Sequence, residues 1–225
     1  MTGAVRRVPG WIPALLGAAL AAQVAWQASR PPPRQVAESL PPAPRAEALR
    51  LAAFGESAAA ARLTMLYLQG FDVRSVDAPR LTAWLRAALA LDPLSAYPLF
   101  AAARVFAETP DPAASRAMLE FVYQEFARDP DRRWPWLAHA ALLAKHRLKD
   151  LPLARRYAAA IERHAGSRDV PLWARQMEIF ILEDMNELEA ARVMLGGLLE
   201  RGENREPNER RFLQQRLREL EERVK

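Results

Sequence analysis

From residue 46 onward, apolar side chains return at three- and four-residue intervals with few interruptions, the period of a helix with one buried face. In RLTAWLRAALALDP the stripe is Leu81, Trp84, Leu85, Ala88 and Leu91. In AASRAMLEFVYQEFARDP it is Met118, Phe121, Val122 and Phe126, with Glu125 as a charged member. Both stretches stop at the same dipeptide, Asp92-Pro93 and Asp129-Pro130, because the residue before a proline is pushed out of the α region. An aromatic-proline pair follows each, Tyr97-Pro98 and Trp134-Pro135. Two later stretches, LARRYAAAIERHAGSRDVP and ELEAARVMLGGLLERGENREP, stop at Gly166 and Gly202 and reach Pro171 and Pro207. Pro93, Pro130, Pro171 and Pro207 are thus spaced 37, 41 and 36 residues apart. Between one proline and the next lie two helical stretches parted by a short break, TPDP, LKD or DMNE. The pattern is a repeated two-helix unit. Such a unit cannot bury both helices alone, whereas stacked neighbours bury a continuous core.

The unit resembles the tetratricopeptide repeat. Counting from the closing proline, Leu99, Ala102-Ala103 and Phe106 fall where that family has its Trp, Leu-Gly and Tyr. Trp136, His139-Ala140 and Leu143 do so one unit later. The small residue, Ala103 or Ala140, would let neighbouring helices approach closely. The unit after Pro171 departs from the pattern: Met177, Phe180-Ile181 and Asp184 keep bulk and lose the small position. The second helices lack the family's alanines in strict register, and the periods exceed its usual length. The resemblance covers roughly residues 60–205. It implies an all-α fold, a right-handed α-solenoid of antiparallel helix pairs over residues 46–206. It also implies a scaffold without catalytic activity, which takes extended peptides or partner proteins on a concave face lined by the first helices. At the end of the stack, residues 207–225 place Leu213, Leu217, Leu220 and Val224 on one stripe and charge elsewhere, the pattern of a capping helix. A long helix over residues 47–69 would open the stack.

The first 45 residues read differently. A short basic tail, residues 1–7 with Arg6 and Arg7, precedes 22 residues without a charge, 8–29. A helix of that length crosses a hydrocarbon core of about 30 Å. Trp11 and Trp26 lie near its two ends, as aromatics at membrane interfaces do. Pro9 and Pro13 fall in the first turns, where proline is least harmful, while Gln23 and Gln27 weaken the run. The alternative is a cleaved signal peptide, but Trp26, two positions before Ala28, is too large for a small-x-small site. The expectation is a single transmembrane helix at 8–29 in an inner membrane. The body then lies outside the cytoplasm, in a periplasm if the source is a Gram-negative bacterium. The bias in arginine is slight, so a cytoplasmic body stays open. Residues 30–45, RPPPRQVAESLPPAPR, hold six prolines and form an extended, stiff linker.

Composition narrows the chemistry. The 225 residues contain no cysteine, which removes thiolate metal sites and cysteine nucleophiles. The net charge of +5 points to nucleic acid until it is located. Residues 1–60 carry six Arg against three acids and residues 201–225 eight basic against six acidic groups, so residues 61–200 balance at 18 of each. A duplex-binding protein concentrates its basic excess on the folded body, and nucleic acid is set aside as a partner. The neutral middle hides two opposed blocks. Residues 132–168 hold nine basic and two acidic groups, and residues 169–200 two basic and seven acidic. Either the blocks neutralise one another across the stack, or Arg132, Arg133, Lys145, Arg147, Arg155 and Arg156 form the basic wall of a groove that orients a charged partner. Trp134, beside Pro135, is a candidate exposed anchor, and Trp136 is expected in the core.

No catalytic, cofactor or metal site is read. His139 and His146 are seven apart and His164 lies on the following helix, a spacing that permits a metal without demanding one. His139 is expected half-buried and the other two on the surface. Gly196-Gly197 sit inside a helical pattern, where each glycine costs about 1 kcal/mol, so close packing against a neighbour is expected. Glu183, Asp184, Glu187 and Glu189 read as a charged turn; acid–base work would need a desolvated pocket. The function expected is a membrane-anchored scaffold that binds a protein or peptide and helps assemble or stabilise an envelope complex. Self-association through stacked repeats is one alternative, and an accessory domain or enzyme acting on envelope polymers is the other.

Overall fold

The computed structural model describes residues 11–29, 40–71, 77–200 and 207–224. These residues form helices and connections, with no strand among them. The chain divides into two units, Met1–Glu38 and Ser39–Lys225. The first contains α1 (Trp11–Ser29), 19 residues or about 28 Å of helix. Trp11, Leu15, Leu16, Leu20, Val24 and Trp26 are all exposed on it. The anchor expected at 8–29 begins three residues earlier, outside the described residues, as do the tail 1–7 and residues 30–39 of the linker. Among the described residues no helix is long and apolar enough to cross a membrane. Two amides in the last turns of α1, Gln23 and Gln27, dilute its apolar character.

The second unit contains α2 (Ala46–Ala52), α3 (Ser57–Leu68), α4 (Ala78–Leu91), α5 (Tyr97–Ala101) running into a π-helical turn (Ala102–Phe106), α6 (Pro112–Phe126), α7 (Pro130–His146), α8 (Leu151–His164), α9 (Leu172–Arg175), α10 (Met177–Asp184), α11 (Leu188–Glu200) and α12 (Pro207–Val224). Aspartate and proline set many of the starts. Asp77 accepts from the Arg80 amide (3.4 Å), Asp111 from Ala113 (2.9 Å) and Asp150 from Leu153 (2.9 Å). Each satisfies an amide that a helix N-terminus leaves without an intrahelical partner. Pro79, Pro112 and Pro152 occupy the first two positions of these helices, where proline forfeits no hydrogen bond. Pro130 opens α7 in the same way without a side-chain cap from Asp129. The Leu153 amide holds the Asp150 carboxyl below the ordinary carboxylate range; partial burial opposes this and the Arg116 guanidinium reinforces it.

Left-handed residues set several of the ends. After α2 the chain turns through Phe54 (φ 54°) and Gly55 (φ 88°). The Gly55 amide donates to the Arg50 carbonyl (2.9 Å) and the Phe54 amide to that of Leu51 (3.1 Å), closing the helix with its last carbonyls satisfied. The single helix expected over residues 47–69 is therefore two, α2 and α3. Asn186 (φ 61°) ends α10 likewise, with the Glu187 amide on the Leu182 carbonyl (2.9 Å). The first helices are less regular than the apolar period suggests. α5 loosens into the π turn, where Ala107 donates to Ala102 (2.9 Å), and the helix after Pro171 is parted at Gln176 into α9 and α10.

Each helix of the body packs on the next: α3 on α4, the π turn on α6, α6 on α7, α7 on α8, α8 on α10, α10 on α11 and α11 on α12. α4 also reaches α6, and α5 reaches α7. The small residues expected at close approaches, Ala103 and Ala140, are fully buried. One apolar core runs from Leu40 to Ile181; a second joins α10, α11 and α12 through Ile179, Leu182, Leu195, Leu198, Leu213 and Leu220. Residues 40–45, the end of the expected linker, lie against the body. Leu40 is buried, its carbonyl accepts from Arg80 Nη1 (2.8 Å), and the Pro41 carbonyl accepts from Trp84 Nε1 (2.8 Å).

Gly196 and Gly197 lie within α11, and a Cβ on either would meet nothing within 4 Å. Close packing, the reason expected for them, is not present. With the space open and φ ordinary, only the entropic cost of glycine remains. Gly196→Ala and Gly197→Ala should therefore each raise the unfolding free energy by about 1 kcal/mol, read from urea midpoints at constant slope.

Candidate functional site

The six cations of the expected basic wall are engaged within the fold. Arg133 is buried, which removes it from any exposed wall. It donates to the Glu125 carbonyl (2.7 Å), to Glu125 Oε2 (3.2 Å) and to the Pro93 carbonyl (3.1 Å). Arg155 Nε donates to Glu178 Oε1 (3.0 Å), and Lys145 pairs with Asp184. Both pairs join the basic block to the acidic block, so opposite charges neutralise one another between helices. Arg156 pairs with Glu120 and lies over the rings of Tyr123 (4.6 Å) and Tyr157 (5.2 Å). Arg147 donates to the Thr109 carbonyl (2.7 Å). Arg132, though exposed, donates to the Leu94 carbonyl (3.3 Å) beside Asp129 (3.7 Å).

The charged member of the α6 stripe is explained by the same contacts. Glu125 is 1% exposed, and Arg133 (3.2 Å), Arg128 (3.1 Å) and Arg86 (3.7 Å) approach its carboxylate. A buried charge is tolerated only when paired and hydrogen-bonded, and this one joins α4, α6 and α7.

Aromatic side chains on the first helices meet one another across the helix pairs. On α5, Tyr97 stacks on Phe100 (6.0 Å), and Phe100 meets Trp136 of α7 edge to face (5.7 Å). Trp134, also on α7, meets Trp173 of α9 edge to face (5.5 Å). Gln69, just beyond α3, donates to the Tyr97 hydroxyl (2.7 Å). Tyr97, Phe100 and Trp173 are 43%, 38% and 53% exposed, while Trp134 and Trp136 are half-buried. Trp134 is therefore supported by a neighbouring ring. Trp136 forms part of the lining of a cavity of about 290 Å³ with Leu94, Leu99 and Arg132. Rings thus link the first helices of three successive pairs, each contact contributing about 1 kcal/mol beyond area burial. Tyr97, Phe100 and Trp173 are not singled out by charge or motif. Their signal is the aromatic residue a few positions after Pro93, Pro130 and Pro171.

His139, on α7, is half-buried with Nε2 unpartnered. Burial, and then the nearby Arg104 guanidinium, lower its pKa from the ordinary 6.5 against the opposing influence of Glu108. His146 and His164 are exposed. Among the described residues, no three metal-ligating side chains converge. The carboxylates of the α10–α11 turn diverge as well: Glu183 Oε1 accepts from Arg216 (3.1 Å), Asp184 takes Lys145, and Glu189 accepts from Arg192 (2.9 Å). Comparison with known proteins brings no relative: no family model, no curated protein and no solved structure matches the chain.

Two outcomes follow from these contacts. Arg133→Ala leaves a buried carboxylate short of its one buried cation and should cost about 3 kcal/mol, while the exposed Arg132→Ala should cost under about 1 kcal/mol, both read by urea denaturation. The depressed His139 pKa makes the unfolded state the better proton acceptor. The resulting stability is fully present above pH 6.5 and is lost as pH falls through the lower folded value. His139→Gln should remove that part of the pH dependence of the urea midpoint.

Proposed function

We propose that this protein is a membrane-attached scaffold of tetratricopeptide-like helix pairs, whose first helices present an aromatic row to a protein or peptide partner in an envelope complex. The observation that carries this reading is a pair of ring contacts between successive first helices, Phe100 with Trp136 and Trp134 with Trp173, with Tyr97 stacked on Phe100. Aromatic rings supply large contact area at a small cost in side-chain entropy, and they dominate many interfaces. The succession of helix contacts supports a solenoid, since each pair leans on its neighbours in sequence. Membrane attachment through residues 8–29 is supported by α1, which keeps every described large apolar side chain uncovered; an apolar helix of this kind requires an apolar surrounding. Arg6 and Arg7 before it favour an inner membrane with the body on the periplasmic side.

Recognition in this reading rests on contact area more than on net charge, because Lys145, Arg155 and Arg156 already hold carboxylates. The test is capture of the full-length tagged protein from detergent-solubilised membranes, in parallel with the double variant Phe100→Ala, Trp173→Ala. A defined set of partners should accompany the native chain, resist moderate salt, and fall by at least about tenfold with the variant. Recovery of the protein alone, or partners indifferent to both substitutions, would overturn the assignment.

A further inference from the structure

We infer that the corner formed by α2, α3 and the turn between them docks on the surface of a phospholipid bilayer; this rests on the membrane attachment proposed above. Phe54 stands in the turn, 99% exposed, and α2 and α3 on either side of it carry Leu51 (74%), Leu63 (57%) and Leu66 (62%) exposed. Leu63 borders a cleft of about 250 Å³ whose walls include Leu49, Ala53, Ala60 and Trp84. The turn itself does not call for an aromatic residue. Phe54 adopts φ 54°, a conformation that glycine or asparagine reaches at less cost. A bulky ring held there in full contact with water is unfavourable twice over, unless something apolar receives it.

Charge and tether select a lipid surface as the receiver. Arg45, Arg50 and Arg62 are exposed around the corner, and among the described residues none has an acidic partner. The arginines of α7 and α8 discussed above are, by contrast, bound to carboxylates or carbonyls. Glu47 and Glu56 leave one net positive charge on this segment. Exposed rings and leucines flanked by cations suit the boundary between anionic headgroups and acyl chains. The corner is also next to the point where the chain leaves for α1. Trp84 lines the cleft and holds the Pro41 carbonyl, and Leu40 is buried against the body. Only the ten residues 30–39 separate Leu40 from the end of α1, and they span at most about 36 Å.

The chain has no cysteine, so Phe54→Cys provides a unique attachment point for an environment-sensitive fluorophore, and the exposed Arg168→Cys a control. The labelled full-length protein is reconstituted in phosphatidylcholine–phosphatidylglycerol vesicles whose acyl chains carry nitroxides, and attachment is read separately by flotation. The probe at 54 should shift to the blue and lose at least about half its emission to the nitroxides, while the probe at 168 keeps its own. Adding Leu51→Glu and Leu63→Glu should abolish the loss at 54 without affecting flotation. Flotation without quenching at 54 would overturn the docking and leave attachment standing. A chain that does not float would overturn both. Self-quenching at 54 that rises with protein density, without quenching by lipid, would give the corner to a second copy and overturn the proposal.

Discussion

A carboxylate with almost no access to water holds the middle of the molecule together. Glu125 projects from α6 into the core, and three arginines, from α4, from the turn after α6 and from α7, converge on it. Arg133 does more than neutralise it. Its other amino group reaches the Pro93 carbonyl ahead of α5, so one guanidinium relates α6, α7 and the entry to α5. That relation brings Phe100 against Trp136. A hydrophobic residue at position 125 would suit burial equally well, but it could not set the distance between successive first helices by hydrogen bonds.

Much of this was legible in the sequence, because the signals that place helix ends are local. Asp111-Pro112 and Asp129-Pro130 mark starts wherever they occur, and the breaks at LKD and DMNE fall between α7 and α8 and between α10 and α11. The charged member of the α6 stripe was visible, but its partners were not, since Arg86 and Arg133 are supplied from other helices. The same limit applies to the basic residues. Periodicity shows that Arg155 and Arg156 lie near one another, and only packing reveals that Glu178 and Glu120 already meet them. The interruption at Phe54 was hidden for another reason: an aromatic residue is a rare occupant of the left-handed region. Gly196 and Gly197 invited an explanation by packing, and the open space above them shows that a glycine in a helix need not have one.

The distribution of charge has a bearing on mechanism. Opposed blocks of the chain are matched to one another between helices, so the body's cations largely serve the fold. Among what the first helices leave uncovered are Tyr97, Phe100 and Trp173. Surfaces of this type recognise shape and apolar area, and they tolerate changes of ionic strength that would weaken an electrostatic groove. The π turn at Ala102–Phe106 directly follows the segment that carries Tyr97 and Phe100.

The division of the apolar core at α10 has a consequence for how the molecule comes apart. Met177 and Ile181 belong to one cluster, Ile179 and Leu182 to the other. This eight-residue helix, itself parted from α9 at Gln176, is the principal seam between α11–α12 and the rest. In an array held by nearest-neighbour contacts, loss of one seam does not oblige the remainder to follow. Opening at that seam would release the last two helices while the rest of the body stays folded. Amide exchange would register the body as two populations of protected hydrogens, and a partner bound to α5, α7 and α9 would slow the exchange of one population while leaving the other to breathe.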